Sequence, residues 1–142
     1  IIEGRRGDHR GRSLDFILEQ GDDFWEREHD FIQWLFPAVQ KSMAVPNSPV
    51  IRQAEVEAIK SSQVATTNLK RSTLRFIEFL SAHKYWRFSY DHNQLRITRV
   101  IRTLRLIFGD EEADQFKQWI RDELGDEYEN VNEKSRSFWE MS

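Results

Sequence analysis

Apolar residues recur at helical spacing along most of this chain. Ser13 predicts the N-cap of a short helix with Leu14, Ile17 and Leu18 on one face, closed near Gly21. Asp22 or Asp23 then caps a second helix in which Trp25, His29, Ile32 and Phe36 recur at i, i+4, i+7 and i+11. Phe31, Trp34 and Leu35 widen its apolar arc, so this stretch is read as one continuous, central, buried helix. Pro37 has no amide hydrogen and restricts Phe36, which ends the helix there or within a residue or two. The interval 38–49, with Pro46, Asn47, Ser48 and Pro49, is the longest expected loop. Val56 and Ile59 predict a short helix over about 53–60. Val64, Leu69, Thr73, Phe76, Ile77 and Leu80 predict a longer amphipathic one reaching about His83.

Between Lys84 and Asp91 four aromatics, Tyr85, Trp86, Phe88 and Tyr90, alternate closely with polar residues, which suits a brief extended segment. From His92 the helical pattern returns: Ile97, Val100, Ile101, Leu104, Ile107 and Phe108 share one face while Arg96, Arg99, Arg102 and Arg105 fan across the other. Gly109 stops it. Asp110 is expected to cap the next helix, whose Ala113, Phe116, Trp119, Ile120 and Leu124 face inward before Gly125 breaks it. A last helix over 132–141 carries Phe138 and Trp139. No repeat, low-complexity tract, heptad run or persistent strand pattern interrupts this reading. The expected architecture is all-α, an irregular bundle of about six helices in a single domain.

Composition changes the picture in three places. A length of 142 residues suits one core, and the absence of cysteine removes disulfides, thiolate metal sites and cysteine nucleophiles. It also suits a reducing compartment, so the cytoplasm is the expected location. No apolar run approaches the ~20 residues of a membrane span, and the charged, glycine-containing start is unlike a secretory signal. The start is read as a lead-in over residues 1–12 ahead of a helical domain over 13–142. Within it Ile2-Glu3-Gly4-Arg5 spells a protease-recognition word of the kind placed ahead of recombinant proteins, and residues 7–12 read as an extended, glycine-jointed segment.

Charge is distributed unevenly although the net value is only −3. From Asn93 to Phe108 there are four arginines and no acids, whereas Asp110 to Glu129 holds nine carboxylates against Lys117 and Arg121. The two segments are expected to pair with each other. The balance argues against a long track for nucleic acid.

The candidate chemistry is sparse. His29 sits between Glu28 and Asp30, but neighbours one apart on a helix point in different directions and cannot serve one ion. None of the four histidines has a two-histidine helical spacing, and there is no phosphate loop, nucleophile elbow or zinc-protease word. No catalytic residue, metal ligand or cofactor is therefore assigned. Gln33 and Trp34 lie in the most apolar stretch, where a polar atom needs a partner or a job. Either they tie down the neighbouring loop, or they line an aromatic-floored groove rimmed by Asn47 to Pro49 and suited to a short peptide. Asn93, Arg96 and Arg99 sit in the first turns of a helix, where free amides and two guanidinium groups favour an anion or a chain-terminal carboxylate. The other reading of that face is that it pairs with the acidic segment.

Two runs, His29-Asp30-Phe31-Ile32-Gln33-Trp34-Leu35-Phe36-Pro37 and His92-Asn93-Gln94-Leu95-Arg96-Ile97-Thr98-Arg99-Val100-Ile101, resemble the signature of the opioid growth factor receptor conserved region. Stretches 8–12, 47–49 and 55–62 are similar to it as well. The resemblance implies a helical domain with no catalytic residues to map. The family's animal namesake is a nucleus-associated receptor that recognises an enkephalin peptide and restrains cell proliferation. This sequence carries neither the namesake's long repeat-bearing extension nor a lysine-rich nuclear signal, so a compact, microbial relative keeping only the helical domain is expected.

The functional expectation is a non-catalytic domain binding a peptide, a small anion or a partner protein, with Gln33, Trp34, Asn47, Asn93, Arg96 and Arg99 framing the site. In that reading the arginines clamp a carboxylate and Trp34 meets an apolar side chain. The alternative is a hydrolase-type enzyme using His29 or His92. A further alternative, weak nucleic-acid binding, would use the same arginines with Tyr85, Trp86 and Tyr90 as stacking platforms.

Overall fold

A computed structural model describes residues 1–40, 45 and 48–142. The chain is all-α among these residues, with eight α-helices, two short 3₁₀ turns and two isolated bridges. It divides into two compact units, Ile1–Phe79 and Leu80–Ser142.

In the first unit, helix α1 covers Leu14–Glu19 and starts as expected, with the Ser13 hydroxyl accepting from the Phe16 amide at 3.1 Å. Helix α2 covers Asp22–Arg27 and helix α3 only Ile32–Leu35. The N-cap of α2 is Gly21, with Asp22 and Asp23 inside the first turn, where their charge favours the helix dipole. The single long helix read from the sequence is thus broken at Glu28, whose backbone is extended (φ −85°, ψ 127°). An unbroken helix would set Phe31 about 120° round the axis from Trp25. The break instead brings the two rings together edge to face at 5.0 Å, both fully buried. Trp25 also donates its indole N–H to the Ile17 carbonyl at 3.1 Å, locking α1 onto α2. Phe36 terminates α3 directly before Pro37, as the proline requires.

A bridge between Ala38 and Val50, with the Ile51 amide on the Ala38 carbonyl at 3.0 Å, closes the long connection at its base. Candidate residue Asn47 lies outside the described residues. Helix α4 (Gln53–Ser61) is opened by the Glu55 carboxylate accepting from the Arg52 amide, and helix α5 (Gln63–Ala82) by the Ser62 hydroxyl. The buried stripe of α5 in this unit is Ala65, Leu69, Ser72, Phe76 and Phe79. Val64, expected to face inward, is 57% exposed, because the stripe that includes Leu69 passes four residues back through Ala65.

In the second unit a 3₁₀ turn at Tyr85–Arg87 stands where an extended segment was expected, and only Ser89 pairs, bridging to Val131. Helix α6 (His92–Phe108) is capped by the Asp91 carboxylate on the Asn93 amide at 2.9 Å. Helix α7 (Asp110–Leu124) takes its cap from Gly109 rather than Asp110, which is already helical and pairs with Arg105 at 2.7 Å. Gly109 (φ 96°) and Gly125 (φ 52°) occupy the left-handed region at the two helix ends, which is why both positions carry glycine. A second 3₁₀ turn, Gly125–Asn130, leads to helix α8 (Glu133–Met141), capped by the Asn132 side chain. Helix α6 packs against α7 and α8. Trp86, Ile97, Val100, Ile101, Phe116, Ile120 and Trp139 are buried there. No helix among the described residues is long and apolar enough to cross a membrane.

Candidate functional site

In the first unit the lead-in is a closed loop rather than an extended arm. A Cβ on Gly7 would stand 2.6 Å from the Gly11 backbone, so only glycine allows the two to approach. Asp8 is buried, and its carboxylate accepts from the Arg10 amide, the Arg12 amide and the Arg12 Nε–H at 2.9, 3.0 and 2.7 Å. Arg12 reaches on to the Asp30 carboxylate at 2.9 Å and to the Asp30 carbonyl at 3.3 Å, satisfying a backbone oxygen that the break after α2 leaves outside any helix. His9 meets the other Asp30 oxygen at 3.0 Å and lays its ring on the Trp34 indole, centroids 4.2 Å apart and planes 20° off parallel. Burial alone would raise the Asp30 carboxyl, but the bonds and charges of Arg12 and His9 outweigh it and hold it below the usual carboxylate value. Arg12 is raised in turn; burial opposes its charge and the two aspartates overcome that.

Gln33 is buried on α3 and directs its amide toward the His29 carbonyl at 3.5 Å, a long contact. Trp34 is half-buried under His9, and His29 is exposed.

The second unit is organised around Gln94, which is 1% exposed. Its amide group donates to the carbonyls of Trp86 and Ser89 at 3.0 and 3.1 Å. Its oxygen accepts from Asn132 Nδ2 and the Ser135 hydroxyl, both at 2.8 Å. Ser89 has φ 47°, a left-handed conformation costly for a side-chain-bearing residue, and these bonds hold it there. The corner so fixed turns Phe88 and Tyr90 outward, 48% and 72% exposed.

Three of the four arginines of α6 differ in kind. Arg96 is buried and gives one guanidinium N–H to the Asn93 side chain at 3.0 Å, so two of the expected site residues are brought together. Arg105 makes the expected pairing with the acidic segment, bonding Asp110 and Asp114 at 2.7 Å each; their bonds raise it further above its ordinary value. Arg99 differs in sign: burial lowers it to about 10. Leu95, one helical turn before Arg99 on the same face, is 64% exposed.

Sequence reasoning named Gln33, Trp34, Asn93, Arg96 and Arg99, which the structure places two in the first unit and three in the second. It passed over Asp8, His9, Arg12, Asp30 and Gln94. For Asp8 the signal was an aspartate followed by free amides and Gly11, the composition of an Asx turn. Gln94 had the same signal as Gln33, an amide among large apolar residues.

Comparison with known proteins fits this description. The model of the opioid growth factor receptor (OGFr) conserved region matches residues 15–139. The Opioid growth factor receptor of Rattus norvegicus is 31% identical over 115 residues, with 66% of this chain covered. The chain spans only about a fifth of that relative, 20% of its length. No solved structure matches. With the match running over residues 15–139, from α1 to α8, the chain belongs to the opioid growth factor receptor conserved-region family.

Proposed function

We propose that this domain is a non-catalytic binding module that takes a carboxylate-bearing peptide, a small anion or an equivalent segment of a partner protein at Arg99 on α6. The observation that carries this reading is the placement of Arg99 on α6 one helical turn after the exposed Leu95, and burial, which lowers its guanidinium to about 10, supports it. A cation whose surroundings on balance disfavour its charge gains from an arriving anion. Leu95, exposed beside it, offers apolar contact to the same guest. Arg96, fixed by Asn93, serves as a positioning residue for this turn of the helix. The relative is by name a receptor for a growth factor, which favours a peptide over an inorganic anion as the natural guest.

Calorimetric titration with one short peptide, as free acid and as C-terminal amide, tests this. The free acid should bind about tenfold or more tightly, the worth of one charge-assisted hydrogen bond. Arg99→Leu should erase the preference. Equal binding of acid and amide by the native chain overturns the reading.

A further inference from the structure

We propose that the Trp34 indole is a stacking surface for a partner's aromatic side chain carrying an N–H or O–H at its edge, and that His9 occupies this surface as a built-in competitor. The inference borrows from the preceding reading only that the guest is a peptide; its residues and its test are separate.

Three features of the first unit carry it. The His9 ring lies on Trp34 in ligand fashion, 4.2 Å between centroids with planes 20° apart, while its edge nitrogen meets Asp30 at 3.0 Å. Because the surroundings hold Asp30 below the usual carboxylate value, its oxygen accepts and the imidazole Nε2 donates. The resident therefore defines a two-part recognition: a flat face on the indole and a donor on the carboxylate. A tyrosine, histidine or tryptophan side chain supplies both, and a phenylalanine supplies only the first.

The second feature is that His9 is spare. Its loop is closed without it, by Asp8 on the amides of Arg10 and Arg12 and by Arg12 on Asp30. The imidazole bonds no other group within the loop and its side chain is 31% exposed, so it can leave Trp34 without opening the structure beneath. The third is that the edge is already charged for exchange. Asp30 stays oriented by Arg12 on its other oxygen when His9 departs, and Arg10 lies 3.6 Å from the vacated oxygen and 3.7 Å from Glu28. The carboxylate is left preorganised for a new donor.

The test uses the full chain and two probes, N-acetyl peptide amides that differ only in tyrosine against phenylalanine. Lacking a free carboxylate, they do not report on Arg99. Binding is followed by the ¹⁵N indole signal of Trp34, assigned with Trp34→Phe. His9→Gln, which keeps a donor for Asp30 but removes the ring, should bind the tyrosine peptide about tenfold more tightly than the native chain. His9→Trp should bind it more weakly. The tyrosine peptide should outbind its phenylalanine partner several-fold, and Asp30→Asn should shrink that margin. The proposal is overturned if His9→Gln and His9→Ala, with their spectra otherwise intact, bind the tyrosine peptide no better than the native chain. It is equally overturned if the Trp34 signal does not move in any variant. In either case acid-selective binding at Arg99 stands or falls by its own titration.

Discussion

Replacing Gln94 by leucine removes the centre of the second unit's polar network while keeping nearly the same volume. The side chain is 1% exposed and bonds Trp86, Ser89, Asn132 and Ser135. The Ser89 carbonyl keeps the Asn132 amide and side chain, at 3.1 and 2.6 Å, so it is not orphaned. The Trp86 carbonyl loses its Gln94 donor, and the buried Ser135 hydroxyl loses its acceptor. The Ser135 hydroxyl still accepts from Asn132 Nδ2 at 3.0 Å, so each of the two buried groups is short of one bond; at about 1–3 kcal/mol each, less the gain from an apolar side chain, the net loss is about 3 kcal/mol. At about 3 °C per kcal/mol for a chain of this size, Tm falls by about 10 °C. Urea unfolding followed by tryptophan fluorescence measures the loss, and hydrogen exchange locates it at the Ser89 and Asn132 amides. Gln94→Glu should be destabilised at neutral pH, where its carboxylate faces two carbonyls, and should recover on acidification once it can donate. A loss under about 1 kcal/mol for Gln94→Leu would refute the reasoning, because the orphaned groups would then have found other partners.

Gly7→Ala should destabilise the lead-in by about 1–3 kcal/mol, the usual cost of forced overpacking, since its Cβ would stand 2.6 Å from the Gly11 backbone; a denaturation midpoint unchanged from the native chain contradicts this. Asp30 has a folded pKa below its unfolded one, so its contribution is present above about pH 4 and is lost as the pH falls through the folded value. Acid unfolding of Asp30→Asn should accordingly show a flatter low-pH limb. Tyr128 is raised by burial first and then by its hydrogen bond to Glu140 at 2.9 Å, so one of the three tyrosines should ionise late in an ultraviolet titration. Tyr128→Phe should remove that late component.

Most helix limits were legible because they are set locally. Ser13, Pro37, Gly109 and Gly125 act through their own backbone or the adjacent turn, and each falls where the pattern placed it. The break after α2 was not legible, because periodicity registers apolar spacing and not the distant Arg12 that compensates the Asp30 carbonyl. Val64 failed for a related reason: size suggested burial, while the helical register through Leu69 selects Ala65. Asn93 and Arg96 were found by the cost of burying polar atoms, and the same rule extended to Gln94 would have found the network's centre. That His9 sits on Trp34 depends on a loop closure spanning 25 residues, which no local pattern encodes.

The central proposal is that Arg99 on α6 receives an incoming carboxylate. The most direct measurement follows the Nε–Hε signals of ¹⁵N-labelled arginine while a free-acid peptide is added at constant ionic strength. Arg99 should move in a saturable way while Arg12 and Arg105, already bonded to aspartates, stay in place. A saturable shift confined to other arginines, with the Arg99 signal stationary, would contradict the account.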